Sequence, residues 1–230
     1  MDGLKLRESA SALRHQIHYR YRKELKFICF LLVCINLPLA IMTLPPDFLI
    51  SGVLLSVFVL LYMFLIHRTK LSGKLWWKEV LIAFGVTYGM AILPGIPESL
   101  QPNPAALLLL LIFFGINLIN LMIFSYFDHE MDRSDGFASS SSKYGTERLE
   151  SIITRMLIIT FALIAIWTFL VPHQRKLPVI MVLMVMLNVL GMIMFRKDLF
   201  KEDGKYRLWG DMIYLAPAII WFILKDKPVF

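Results

Sequence analysis

Between Ala105 and Phe127 the chain reads AALLLLLIFFGINLINLMIFSYF, without a single charged residue. At about 1.5 Å of rise per residue, a helix of this length covers the roughly 30 Å hydrocarbon core of a bilayer. Six more apolar runs flank it: Phe27–Leu44, Phe48–Ile66, Val80–Ile96, Ile152–Val171, Leu177–Phe195 and Met212–Leu224. Pro45-Pro46-Asp47 turns the chain between the first two, and Pro94-Gly95-Ile96-Pro97 closes the third, since proline breaks a helix interior. The expected fold is an all-α, multi-pass transmembrane helical bundle of about seven spans. Residues 1–230 then form a single integral membrane domain, with a basic N-terminal segment over 1–26 and an acidic loop over 128–151.

Composition agrees. Of 230 residues, 58% are hydrophobic and 18% charged, against about 45–50% and about 25% in soluble domains. Mean hydropathy is +0.67. No stretch is left in which to build a soluble domain, which excludes a soluble enzyme on a single membrane tail. Cys29 and Cys34 share one apolar run and do not read as a disulfide framework or a metal knuckle. The polar, basic opening segment does not read as a cleavable signal peptide.

The connecting segments divide into two sets. Residues 1–26, 67–79, 128–151 and 196–211 carry nearly all the Lys and Arg, whereas the opposite set holds only Arg175, Lys176, Lys225 and Lys227. Because Lys- and Arg-rich loops stay on the cytoplasmic side, the N-terminus and the acidic loop are expected there, in the cell's inner membrane. The net charge of +7 is then a consequence of topology and gives no reason to invoke nucleic acid. Most acidic residues lie on the same side, although topology does not require it. A site belongs on that face.

The chemistry concentrates just past the quoted run. If the helix continues beyond Phe127, then Asp128, Asp132 and Asp135 stand at i, i+4 and i+7 on one face. Carboxylates one turn apart repel, and a divalent cation removes that penalty. Mg²⁺ suits the spacing, since it takes one or two carboxylates and completes its shell with water and phosphate oxygens. A solvated acidic helix end without a ligand has the same spacing. Asn117 and Asn120 read foremost as interhelical hydrogen-bonding groups.

The run Asp128–Gly145, DHEMDRSDGFASSSSKYG, resembles the second aspartate-rich motif of the UbiA superfamily of intramembrane prenyltransferases. That motif reads D-x-x-x-D-R-x-x-G with a further Gly nine residues on, and Asp128, Asp132, Arg133, Gly136 and Gly145 fall on it without a gap. The resemblance implies that Asp128 and Asp132 act as catalytic metal ligands for Mg²⁺. The ion would hold the diphosphate of a prenyl donor, whose isoprenoid passes to a lipid-soluble or aromatic acceptor. Arg133 and Lys143 would lie near the phosphates. The loop after Tyr62 is similar to the family's Tyr-plus-basic loop but shifted, which makes Arg68 and Lys70 further phosphate contacts. The chain departs from the family in having Phe124 and Ser125 where an Asn is common, and Phe137-Ala138-Ser139 where a basic residue is usual.

Family members have nine spans and a first aspartate-rich motif between their second and third helices. Aligned on the second motif, this sequence is two helices short at its N-terminus, and Asp2 resembles the last aspartate of the first motif. That places Asp2 among the expected metal ligands, with the rest of the motif expected upstream of Met1. A non-catalytic or transport-type bundle with a cation-binding acidic loop is the alternative. The loop Arg196–Asp211, ending Tyr206-Arg207-Leu-Trp209-Gly-Asp211, reads only as interfacial.

Overall fold

A computed structural model describes residues 20–68, 77–92, 103–134, 139–171 and 173–224, and every regular element among them is a helix. Helix α1 runs Arg22–Thr43 and α2 runs Pro46–Arg68. Leu44 between them is extended (φ −93°, ψ 142°), as a residue before proline must be to clear the ring. Pro46 then occupies the first position of α2, where its missing N–H costs nothing. Pro38 lies inside α1 and removes one backbone bond from it.

Helix α3 spans Lys78–Ile92, and α4 spans Pro104–Phe127. Asn103 caps α4 by accepting the Ala105 amide at 3.0 Å, ahead of Pro104. Two short helices follow, α5 (His129–Ser134) and α6 (Ser140–Tyr144). Ser139 and Ser142 close a capping box on α6. Gly145, at φ +74°, joins α6 to α7 (Thr146–Leu170), using backbone space that a side chain disfavours. Helix α8 covers His173–Phe195. The chain then folds back through α9 (Lys197–Lys201), a 3₁₀ turn, α10 (Lys205–Met212), a second 3₁₀ turn at Ile213–Leu215 and α11 (Ala216–Leu224).

Among the described residues, five helices are long and apolar enough to cross a bilayer: α1, α2, α4, α7 and α8. This is an all-α helical bundle of membrane-protein character. The other two expected spans are shorter where described. Helix α3 has 15 residues and α11 has 9, which at about 1.5 Å per residue reach roughly 22 and 14 Å. The last residues of the third run, 93–96, lie outside the described residues, whereas the seventh run is described throughout and is broken by the 3₁₀ turn at Ile213–Leu215.

Helix α4 is the axis of the core. It buries Ile112, Ile116, Ile119 and Ile123 against Leu149, Ile153 and Leu157 of α7 and Leu183, Leu190 and Ile193 of α8. Gly115 lets α4 and α7 approach, because a Cβ there would lie 2.9 Å from Thr160 Oγ1. Small residues serve helix contacts in this way where no hydrophobic force separates protein from lipid. Most apolar side chains of α1 stay exposed, as do Leu54 and Leu60 of α2, whereas Leu55 and Phe58 of α2 are half-buried against α3. Such surfaces are compatible with hydrocarbon and costly in water.

Polar groups inside the bundle are tied across helices. Tyr214 donates to Asn117 Oδ1 at 2.7 Å, Asn117 Nδ2 donates to Thr87 Oγ1 at 2.9 Å, and Thr87 donates to the Ala83 carbonyl at 2.8 Å. Asn120 Nδ2 donates to the Gly210 carbonyl at 3.2 Å. Both asparagines therefore hydrogen-bond between segments, joining α4 to α3 and to the returning chain.

Candidate functional site

The end of α4 carries Asp128 at its C-cap (φ −82°, ψ 0°), and the Asp132 amide donates to the Asp128 carbonyl at 2.8 Å. The helical path thus persists through Asp128, and the two aspartates sit one turn apart. Both are buried, with Asp128 3% and Asp132 8% exposed. A buried carboxylate is expensive unless it is hydrogen-bonded and its charge is balanced.

For Asp128, α10 supplies both. The Tyr206 hydroxyl donates to Oδ1 at 2.5 Å, and the Arg207 guanidinium pairs with Oδ2. The Tyr206 ring stacks on Phe127 (centroids 4.6 Å apart, interplanar angle 13°) and meets Phe124 edge-on. The guanidinium lies 5.0 Å from the Phe124 ring centroid, within cation–π range. Burial, followed by the hydrogen bond to and the negative charge of Asp128, pushes the Tyr206 phenol up to about 12. Tyr206 is therefore a neutral donor throughout the physiological range.

The backbone of α10 is brought close by Gly210. A Cβ there would lie 2.5 Å from Asn120 Oδ1 and 2.6 Å from Phe124 Cε1, so only glycine fits. A second anchor holds the preceding turn. Lys197 pairs with Glu150 at 2.5 Å and lies 5.2 Å from the Tyr126 ring centroid.

On the α6 side, a serine-lined loop packs beneath the acidic turn. Ser141 N–H donates to Ser125 Oγ at 3.0 Å, and the Ser139 and Ser141 hydroxyls share a hydrogen bond of 2.9 Å. Glu79, in the first turn of α3, accepts the Ser140 amide at 3.0 Å while only 4% exposed. Burial raises the Glu79 carboxyl above its ordinary value of 4.5, outweighing the opposing hydrogen bond from Ser140 and the charge of Lys78. Among the described residues, three buried side-chain atoms lack a hydrogen-bond partner: Glu79 Oε2, Asn120 Oδ1 and His129 Nδ1. Of the three, His129 is the residue next to Asp128, Asn120 lies eight residues before it on α4, and Glu79 faces Ser140. Such orphaned polar atoms in a native fold mark a place where water, an ion or a ligand belongs.

Of the residues singled out from sequence, Asp128 and Asp132 are brought together. Arg133 and Lys143 are exposed on the same loop, Lys143 lying 5.0 Å from the Tyr144 ring centroid. Arg68 ends α2, with its side chain outside the described residues; Asp2, Lys70, Asp135 and Gly136 also lie outside them. Among the described residues, no cluster of three or more His, Cys, Asp or Glu side chains is placed to hold a metal. Among the described residues, the acidic turn offers two carboxylates, Asp128 and Asp132. That number suits Mg²⁺, which fills its remaining positions with water and phosphate. Tyr206, Arg207 and Glu79 are the partners that sequence reading missed. Comparison with protein-family models, with curated proteins and with solved structures finds no match.

Proposed function

We propose that the protein is a membrane-embedded prenyltransferase that moves an isoprenoid group from a prenyl diphosphate to a lipid-soluble or aromatic acceptor. The observation that carries this reading is the burial of Asp128 and Asp132, one turn apart, at the polar end of an apolar bundle. The sequence from Asp128 to Gly145 resembles the UbiA motif, and the buried His129 Nδ1 beside Asp128 has no hydrogen-bond partner among the described residues. Asp128 and Asp132 would hold Mg²⁺, which when bound would stabilise the negative charge that grows on the departing diphosphate. Arg133 and Lys143, exposed beside the acidic turn, attract the phosphates. In the reaction the C–O bond to the diphosphate breaks and its electron pair leaves with the phosphate. The allylic carbon bonds to the acceptor, which loses a proton. The site faces the cytoplasm from the inner membrane, as the Lys and Arg asymmetry favours.

A specific observation supports a second reading. Both oxygens of Asp128 have partners inside the chain, as they would if Asp128 only fastened α10 to α4 in a non-catalytic bundle. Purified full-length protein in lipid nanodiscs, given labelled prenyl diphosphates of several chain lengths, separates the two. We predict Mg²⁺-dependent consumption of the donor that Asp128→Asn reduces by at least about 100-fold, with helicity retained. Absence of turnover and of diphosphate binding at every chain length contradicts the prenyltransferase reading.

A further inference from the structure

We propose that Arg207, supported by Tyr206, is a diphosphate-binding residue that is parked on Asp128 until a divalent cation takes that carboxylate. The inference rests on the reading of Asp128 as a cation ligand and extends it to a segment with no counterpart among the motif residues.

Asp128 is almost wholly enclosed, whereas the Arg207 side chain is 31% exposed. The pair therefore joins a buried anion to a cation that already reaches towards solvent. A guanidinium carries donors only, with no acceptor to offer a metal. A divalent ion arriving at Asp128 repels it and competes for Oδ2. The backbone of α10 need not move, since the Gly210 carbonyl is held by Asn120 and the preceding turn is held by Lys197 and Glu150. Only the long Arg207 side chain has to turn, along the faces of Phe124 and Tyr206, whose ring centroids lie 5.0 and 5.6 Å from its Cζ. Once released, a planar guanidinium is suited to a phosphate, which it grips through two parallel hydrogen bonds. Tyr206 holds the other carboxylate oxygen, Oδ1, and so need not move with the guanidinium. The carboxylate thus stands in for the phosphate in the ligand-free chain, and cation and anion are bound in order.

This exchange has a signature of opposite signs. Full-length protein in nanodiscs is titrated with Mn²⁺ as a paramagnetic substitute for Mg²⁺, and then with inorganic pyrophosphate at saturating Mn²⁺. Arg207→Gln removes the competitor and the clamp together. We predict that it binds Mn²⁺ about tenfold more tightly and pyrophosphate about tenfold more weakly than the parent. Arg207→Lys, which keeps the positive charge but loses the fork, retains the parent's Mn²⁺ affinity and loses pyrophosphate affinity. It also serves if the glutamine variant fails to fold. Unchanged affinities in these variants, or shifts of both ligands in one direction, overturn the exchange while leaving a metal site at Asp128 intact. Failure of Mn²⁺ to bind either the parent or the Arg207 variants overturns the metal-site reading itself, and the exchange with it.

Discussion

At the scale of single residues, the cost of burying charge organises the site. Asp128 is compensated by Tyr206 and Arg207, whereas Glu79 relies on Ser140 and has one oxygen without a partner. Its raised pKa means that the folded chain favours the protonated form. A raised folded-state pKa gives stability that is fully present below the unfolded value and is lost as pH rises through the folded one. Glu79→Gln mimics the neutral acid and keeps an acceptor for the Ser140 amide. The melting temperature of the parent should therefore fall relative to Glu79→Gln as pH rises from 4.5 towards neutrality. Thermal melts of both proteins across that range check this, and parallel curves would show that Glu79 does not titrate within it. Asp128 and Asp132 are legible in the sequence because their relation is local, four residues along one helical path. Tyr206 and Arg207 are not, because they lie 78 and 79 residues from Asp128, and an aromatic–basic pair at a membrane edge has an ordinary interfacial reading. Glu79 is likewise hidden, since as a charge beside a loop it is indistinguishable from a solvated one.

At the scale of elements, the site depends on how tightly α10 lies against α4. Gly210 permits that approach, and a methyl group there meets Asn120 and the Phe124 ring at less than van der Waals distance. Gly210→Ala should destabilise the protein by about 1–3 kcal/mol and draw Arg207 away from Asp128. Gly52 in α2 provides the contrast, because a Cβ there meets nothing within 4 Å. Gly52→Ala should be neutral or stabilising by up to about 1 kcal/mol. Denaturation of both variants in the same detergent measures the difference, and equal effects would show that α10 is not packed as described. The long helices were legible because nothing but the hydrocarbon core calls for so long an uncharged run. The loop after α8 was not, since α9, α10 and their 3₁₀ turns are short, mixed in polarity and held by contacts with distant elements.

At the scale of the whole molecule, polarity sorts along the bundle. Helices α4, α7 and α8 enclose an aliphatic core, α1 and α2 present apolar surfaces suited to lipid, and the titratable chemistry gathers where α4 ends. The same uncharged run that is long enough to cross a bilayer delivers Asp128 and Asp132 to the end of α4, so that fold and proposed site follow from one stretch of chain. The most direct test is equilibrium binding of a prenyl diphosphate to the full chain in nanodiscs, with and without Mg²⁺. The account predicts saturable, Mg²⁺-dependent binding that is weakened at least about tenfold by Asp128→Asn and by Asp132→Asn, while Glu147→Gln on the exposed start of α7 leaves it unchanged. Binding that ignores Mg²⁺, or that survives both aspartate substitutions, would contradict it.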